Sequence, residues 1–439
     1  MFDKAKFKCK VWQVIPCVCA SLTCIPFGLM LGWPSPTYPK LIGTPTSPIP
    51  ITMDQSALIA GFLMLGGSLG TLFSQKTIGP GTKYGIIMGN VLMVIGWTVM
   101  WQAKDIYALL GSRFLIGTGY GYGVGQIRIY IAEMSRATLG QTLMKHLNFY
   151  GLLGFVLAYA VGPWVDFRQL SYFSVIIAVF ILFLTVFLPC TPKELLLAKK
   201  SAEAKKLLAF LKTDSDPEQE VHNLAQSILN PPESVGFSKI MQDGTLRVNF
   251  IKLTFLLFCQ QYSGAPPTLV YTQIIFEKSQ VPYPEVFAIC YALLYVIGNV
   301  IGTYTVPMLN KKLVLLTSSC FILILLVANI LVIYFRVNIE YFQYSSVITL
   351  YLFILVHTIS LGSIPVMLIN EWFPKSCKIF MSQYCFILSL LYALTATKTF
   401  QVLMTLYYLY TAFCLCLAVI IFAIFFIIIC VPSEIPEKM

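Results

Sequence analysis

Apolar residues run in long blocks along most of this chain, and short polar stretches separate them. A helix needs roughly 20 predominantly apolar residues to cross the hydrocarbon core of a bilayer. On that criterion about twelve spans are predicted, near residues 12–33, 55–75, 84–103, 108–132, 146–164, 171–190, 249–275, 284–309, 313–335, 347–370, 380–402 and 406–431. The segment from Phe413 to Val431 is apolar without interruption. The spans divide six and six about residues 191–246, the longest polar stretch. The pattern therefore predicts an all-α membrane protein with twelve transmembrane helices in two six-helix bundles. Residues 1–190 form the N-terminal bundle, 191–246 a cytoplasmic helical linker, and 247–439 the C-terminal bundle with a short cytoplasmic tail. Within the linker, Lys199 to Lys212 reads as an amphipathic surface helix with Leu207, Leu208 and Leu211 on one face. Pro231 and Pro232 stand towards its end. The basic, then apolar, beginning of the chain has the order of a signal peptide, but its apolar run is too long, and it is read as a retained first span.

Composition agrees: hydrophobic residues make up 57%, charged residues 11%, and mean hydropathy is +0.78. The net charge of +11 would point to nucleic acid in a soluble domain. Here its distribution excludes that reading. With the N-terminus in the cytosol, one side holds Lys4, Lys6, Lys8, Lys10, Lys76, Lys83, Arg136, Lys145, Lys311, Lys312, Lys375 and Lys378. The other holds little beyond Lys40, Lys104, Arg113, Arg168, Lys278, Arg336 and Lys398. The asymmetry fits the positive-inside rule, with the inner leaflet as the acidic partner. Thirteen cysteines, many inside spans, lack metal-ligand spacing with histidine and read as small buried side chains. No Asn-x-Ser/Thr sequon is present.

Polar residues inside spans carry the chemistry. Gly362-Ser363-Ile364-Pro365 interrupts the tenth span, which closes on Glu371-Trp372-Phe373-Pro374. Such a break is expected where a helix lines a path or hinges, with Pro365 as the hinge. Gly117, Gly121 and Gly125 recur every four residues and read as a packing face, not as a phosphate loop, which would need a preceding strand. Arg113 begins the fourth span, and Arg128 near its other end needs a partner or a wet cavity. Glu133 is its nearest candidate in sequence. Asn148, Gln260, Gln261 and Asn299 are neutral amides on three spans. Amides both donate and accept hydrogen bonds, which suits carbohydrate hydroxyls, and Tyr262, Tyr271 and Trp372 offer aromatic surface. His357 reads as a hydrogen-bonded core imidazole. No carboxylate lies at mid-depth, which favours facilitated diffusion over proton symport. No nucleophile–base pair or metal cluster points to an enzyme, a cofactor or a metal.

In order and spacing, several of these residues resemble the sugar porters of the major facilitator superfamily, nearest the insect facilitated trehalose and glucose transporter branch. The resemblance covers nearly the whole chain. Gly32-Trp33-Pro34-Ser35-Pro36 resembles that branch's first span. Gly111-Ser112-Arg113-Phe114 and Tyr130-Ile131-Ala132-Glu133 are similar to the family's GxRF and YIAE. Leu188-Pro189-Cys190-Thr191-Pro192-Lys193 resembles its PESPR region, and Gln260-Gln261-Tyr262-Ser263-Gly264 its QQxSG. Ile364-Pro365 and Thr397-Lys398-Thr399-Phe400 are similar to PIPW and to the insect TKTF. The resemblance implies that Gln260, Gln261, Asn148 and Asn299 bind sugar, with Tyr271 at the family's tyrosine. It also implies that Glu133, Lys193, Glu371 and Lys378 join Arg128 in a cytoplasmic gating network.

Departures from the pattern bear on both. The family's asparagine after QQxSGI is Pro266, beside Pro267, and the tryptophan of PIPW is Val366. Ser389 stands near the place of the eleventh span's asparagine–tryptophan pair. The loop Gly79-Pro80-Gly81-Thr82-Lys83 lacks most charges of DRxGRR, the loop after span eight shrinks to Asn310-Lys311-Lys312, and the arginine of the RG motif is Gly140. A weaker latch and an altered hexose site follow, Val366 leaving a pocket larger or less able to stack a sugar ring. The expectation is a plasma-membrane carrier with cytoplasmic termini that moves a hexose or trehalose without proton coupling. Its partners are a small sugar-like solute and the lipid bilayer, with no obligate protein partner. The alternatives are a transport-deficient paralogue acting as a ligand sensor, and a carrier of a non-sugar solute.

Overall fold

A computed structural model describes residues 4–43, 47–76, 81–211, 216–229, 237–335, 342–374 and 376–432. Gly79, Pro80, Lys212, Pro231, Pro232, Arg336 and Lys375 lie outside the described residues, as do the side chains of Lys4, Lys6, Lys8, Lys10 and Lys76. The first half comprises α1 (Lys4–Ser21), α2 (Cys24–Gly32), α3 (Pro34–Leu41), α4 (Met53–Lys76), α5 (Thr82–Trp101), α6 (Ile106–Met134), α7 (Ala137–Val161) and α8 (Phe167–Val186). Then come α9 (Pro192–Leu197), α10 (Ser201–Leu211), α11 (Pro217–Leu229) and α12 (Phe237–Gln242). The second half comprises α13 (Gly244–Tyr262), α14 (Ala265–Val270), α15 (Thr272–Lys278), α16 (Pro284–Thr305), α17 (Lys311–Phe335), α18 (Phe342–Ile359), α19 (Ile364–Trp372), α20 (Lys378–Leu406) and α21 (Leu409–Cys430). Among the described residues there is no strand, only an isolated bridge between Ile42 and Ile51.

Among the described residues, ten helical stretches are long and apolar enough to cross a membrane. The other two predicted spans are present as α6, which carries Arg113 and Arg128, and as the broken run α13–α15. Lipid takes the place of water on the outer faces. On α8 and its C-cap, Phe173, Ile176, Phe180, Phe183 and the C-cap residue Phe187 recur at helical spacing and are all exposed. An apolar face of this kind suits a lipid neighbour.

Helix ends and breaks follow local chemistry. The Asp105 carboxylate accepts from the Ala108 N–H at 2.8 Å to start α6, and Asp243 accepts from Thr245 and Leu246 to start α13. Gly264, at φ +105°, turns α13 into α14, whose first turn holds Pro266 and Pro267. Residues 360–363 separate α18 from α19, so Pro365 sits in a first turn rather than in mid-helix. Ser363 Oγ donates to the Thr358 carbonyl at 2.8 Å and holds that break.

Glycine seams set the packing within the first half. A Cβ on Gly117 would lie 2.2 Å from the Leu63 carbonyl oxygen and one on Gly121 2.1 Å from that of Gly67, so this face of α6 meets the α4 backbone directly. The adjacent face meets α5, where Gly89 and Gly119 abut. In the same manner α2 and α7 touch through Gly28, Gly32 and Gly154. In the second half, α17 packs on α18 and α21, α16 on α18, and α13 on α20. The halves meet where α4 lies on α20 and α7 on α16. The linker helix α10 docks on the first half through buried Leu208 and Leu211. There the Leu211 carbonyl accepts from Gln13 Nε2 at 2.9 Å and from Arg136 Nε at 3.1 Å.

A polar cavity between the two halves

A cavity of about 340 Å³ lies between the halves. Asn148 of α7, Gln260 and Gln261 of α13, and Asn299 of α16 all line it. Four amides from three helices thus face one chamber. The rest of the wall is mostly apolar, with Tyr120 stacked on Phe27 at 3.5 Å between centroids and facing Phe386 at 6.1 Å. Pro266 and Ser389 also belong to the wall.

The break in the tenth span positions one of the amides. Gln260 Nε2 donates at 2.8 Å to the carbonyl of Gly362, which lies in the break between α18 and α19. Its Oε1 is buried without a partner. His357 Nε2 lies 3.3 Å from the Gln260 carbonyl, and its Nδ1 is likewise unpartnered. Asn299 Nδ2 donates to the Tyr295 carbonyl at 2.8 Å, leaving its own oxygen for another donor. Asn148 is exposed within the chamber, so water reaches it.

Tyr271 stands apart from the chamber. It is fully buried, 3.0 Å from Ser56 Oγ and 5.9 Å from the Tyr38 ring. Together with Tyr159, which bonds Thr272 at 3.0 Å and the Leu269 carbonyl, it joins the halves on the side away from Lys83, Arg136 and Lys311. Gln273 N–H to Ser35 Oγ at 3.4 Å and the ion pair of Lys398 with Asp54 complete that seal. Tyr262 stacks on Phe258, and neither it nor Trp372 lines the cavity. Val366 is 53% exposed and also lies outside the wall, so its small side chain does not widen the pocket.

On the opposite, basic side polar contacts also join the halves. Arg128 reaches across to Ser382 Oγ at 3.1 Å, not to Glu133. A five-residue separation on one helix puts that carboxylate on another face. His146 Nε2 meets the Tyr304 hydroxyl at 2.8 Å. Glu133 lies beside Thr191 and Lys193. Glu371 pairs with Lys311 at 2.5 Å, within its own half, and Lys378 joins no ion pair among the described residues. Sequence reasoning missed Lys311, Ser382 and Glu194, whose carboxylate caps the start of α5 through the Lys83 N–H at 2.8 Å and Thr82 Oγ1 at 3.0 Å. It named Arg113 at the start of the fourth span but gave it no role; the residue lines the chamber, only 1% exposed, with its guanidinium 4.7 Å above the Trp33 ring. A charged residue within an apolar stretch was the available signal.

Comparison with known proteins agrees with this architecture. The chain is 23% identical over 443 residues to the bovine protein "Solute carrier family 2, facilitated glucose transporter member 8", covering 94% of this chain and 90% of that one. It is 22% identical to "Facilitated trehalose transporter Tret1" of Apis mellifera ligustica, covering 96% and 85%. The inward-open structure of the xylose transporter XylE from E. coli superimposes with a TM-score of 0.78 at 16% identity, covering 96% of this chain and 97% of that one. The family model "Sugar (and other) transporter" matches residues 17–435, and the chain belongs to that family.

Proposed function

We propose that the protein is a facilitative carrier of a sugar, a hexose or trehalose, working by alternating access without proton coupling. As a member of a transporter family it is a multi-pass membrane protein and not an enzyme. The observation that carries the proposal is the convergence of Asn148, Gln260, Gln261 and Asn299 on one cavity between the halves. Hydroxyl-rich solutes need donors and acceptors at close spacing, and a neutral amide supplies both. Two relatives named as facilitated carriers of glucose and of trehalose support the substrate class. No Asp or Glu is among the lining residues, which supports uncoupled movement, although one similar structure is titled a proton:xylose symporter.

In this reading residues 1–190 and 247–439 rock about the chamber, with 191–246 as the linker and Pro365 beside the hinge. The present state is sealed by Tyr159, Tyr271 and the Asp54–Lys398 pair. Glu133, Lys193, Lys378, Glu371 and Arg128 gate the basic side, which faces the cytosol of a plasma-membrane protein along with both termini. Uptake of radiolabelled glucose and trehalose into oocytes tests the proposal. Saturable uptake above water-injected cells, unchanged between external pH 5.5 and 7.5, is expected. Absence of uptake at full surface expression overturns it. Pro266 in the cavity wall favours a second reading, a ligand sensor, which predicts saturable sugar binding without flux.

A further inference from the structure

Tyr120 stands in the middle of α6 and is still partly exposed, because it faces the chamber. Its two neighbours in sequence fix its direction. Gly121 meets the α4 backbone and Gly119 meets that of α5, so α6 is seated on two sides and Tyr120 projects from another. There Phe27 of α2 lies parallel to it, with 3.5 Å between centroids and 3° between planes. Phe27 is itself buried, so one face of the Tyr120 ring is covered and the ring is held in place. Phe386 of α20 approaches from the other half at 6.1 Å and 55°, an inclined contact. Among the described residues, Tyr295 and Phe386 are the other partly exposed aromatic rings of the wall, and neither rests on a parallel ring.

A pyranose offers more than hydroxyls. Its ring also has a face of C–H groups, apolar and slightly positive at the hydrogens. The face of an aromatic ring is apolar and negative, so the two surfaces match. Val366 lies outside the wall, as do Tyr262, Tyr271 and Trp372, so none of them supplies that surface. We propose that Tyr120, backed by Phe27, is the stacking platform of the chamber and makes the carrier specific for ring-form sugars over open-chain polyols. An open-chain polyol brings similar hydroxyls to the amides but has no rigid apolar face to lay on the ring. Asn148 and Gln261, exposed and partly exposed in the same chamber, meet the hydroxyls at the solute's edge. A ring already seated on Phe27 loses little rotamer freedom when the solute arrives. The inference rests on the carrier function proposed above and narrows its substrate class.

The test is competition for uptake of radiolabelled D-glucose or trehalose into oocytes expressing the full chain, with surface expression measured. The competitors are unlabelled 1,5-anhydro-D-glucitol, which keeps the pyranose ring, and D-glucitol, its open-chain counterpart with more hydroxyls. In the unaltered protein the ring form inhibits at concentrations about 10-fold lower. Tyr120→Leu brings the two inhibitors to within about 2-fold of each other, whereas Tyr120→Phe, which keeps the ring, preserves the gap. A flexible polyol binds more weakly to any site, so the change in the ratio, and not the ratio itself, reports stacking. A purely structural role for Tyr120 lowers surface expression and leaves the ratio unmoved. If Tyr120→Leu does not reach the surface, Tyr120→Met takes its place. Equal inhibition by the two polyols in the unaltered protein, or a gap that survives loss of the ring, overturns the platform and leaves the sugar-carrier reading standing. Uptake of neither labelled sugar at full surface expression overturns both.

Discussion

Two glycines on α6 allow the glycine seam to be tested with the substitution chemistry held constant. A Cβ on Gly121 would lie 2.1 Å from the Gly67 carbonyl oxygen, 2.9 Å from its carbon and 3.0 Å from the Thr71 nitrogen, all of them backbone. A Cβ on Gly111 of the same helix would meet nothing within 4 Å. Both Gly→Ala changes gain the same helix propensity, about 0.8–1.0 kcal/mol. Only Gly121→Ala has to push the α4 and α6 backbones apart, by about 1.3 Å, to restore an ordinary contact near 3.4 Å. That separation also lengthens the Thr71 Oγ1 bond to the Gly121 carbonyl, already 3.3 Å. Overpacking of this kind costs about 1–3 kcal/mol, and in lipid no hydrophobic gain offsets the lost contact.

Because the propensity terms cancel, the difference between the two variants isolates the seam. Gly121→Ala is expected to be about 1–3 kcal/mol less stable than Gly111→Ala, a gap of roughly 1–3 °C in melting temperature for a chain of this length. Thermal denaturation of detergent-solubilised protein, followed by size-exclusion chromatography, measures it. Equal stability of the two variants, or a more stable Gly121→Ala, refutes direct backbone contact between α4 and α6.

Four further outcomes follow from the cavity, its far seal and the ion pair on the basic side. Gln261→Ala raises the KM for sugar by roughly 5- to 30-fold at unchanged surface expression, the loss of one or two hydrogen bonds to solute. Gln260→Ala lowers the melting temperature as well, because it also releases the Gly362 carbonyl; concentration-dependent uptake and denaturation together separate the two. Tyr159→Phe combined with Tyr271→Phe removes the phenol bonds of the far seal, each about 1 kcal/mol, and shifts the population towards the far-side-open state. Spin-label distances between the far ends of α4 and α20 are expected to lengthen. Glu371→Gln strands Lys311, since these side chains are only 20% and 12% exposed. A loss of about 1–3 kcal/mol is expected, and Lys311→Met combined with Glu371→Leu recovers most of it in the same denaturation assay.

The spans were legible because the bilayer imposes one rule on all of them, and apolar length is visible in any single stretch. The face formed by Gly117, Gly121 and Gly125 was legible for a similar reason, since periodicity is local. The second face, Gly119 against Gly89, was not, because it depends on which helix arrives beside it. The amides announced themselves by being polar in apolar surroundings. Arg128 did as well, but its partner Ser382 lies 254 positions away and carries no charge to attract notice. Tyr271 was placed by its neighbours in sequence, whereas the break at Gly264 turns it towards Ser56 and away from the chamber.

The gating network shows most clearly what a residue pattern omits. The missing charges of the loop at residues 79–83 pointed to a weaker latch, a reading made from side chains alone. The structure fills that place with backbone. Gly81, at φ +99°, brings the start of α5 against Glu194, whose Oε1 accepts from the Lys83 N–H and from Thr82 Oγ1. Its other oxygen accepts from the Thr191 N–H at 2.8 Å. An anion at a helix N-terminus gains from the free N–H groups and from the helix dipole together. One carboxylate therefore ties α9 to α5 with no arginine in the loop. Gly81 permits it twice over: its backbone conformation is one that other residues rarely adopt, and a Cβ there would lie 2.5 Å from the Glu194 oxygen. Loss of charged side chains from a motif thus does not measure loss of the contact they would have made.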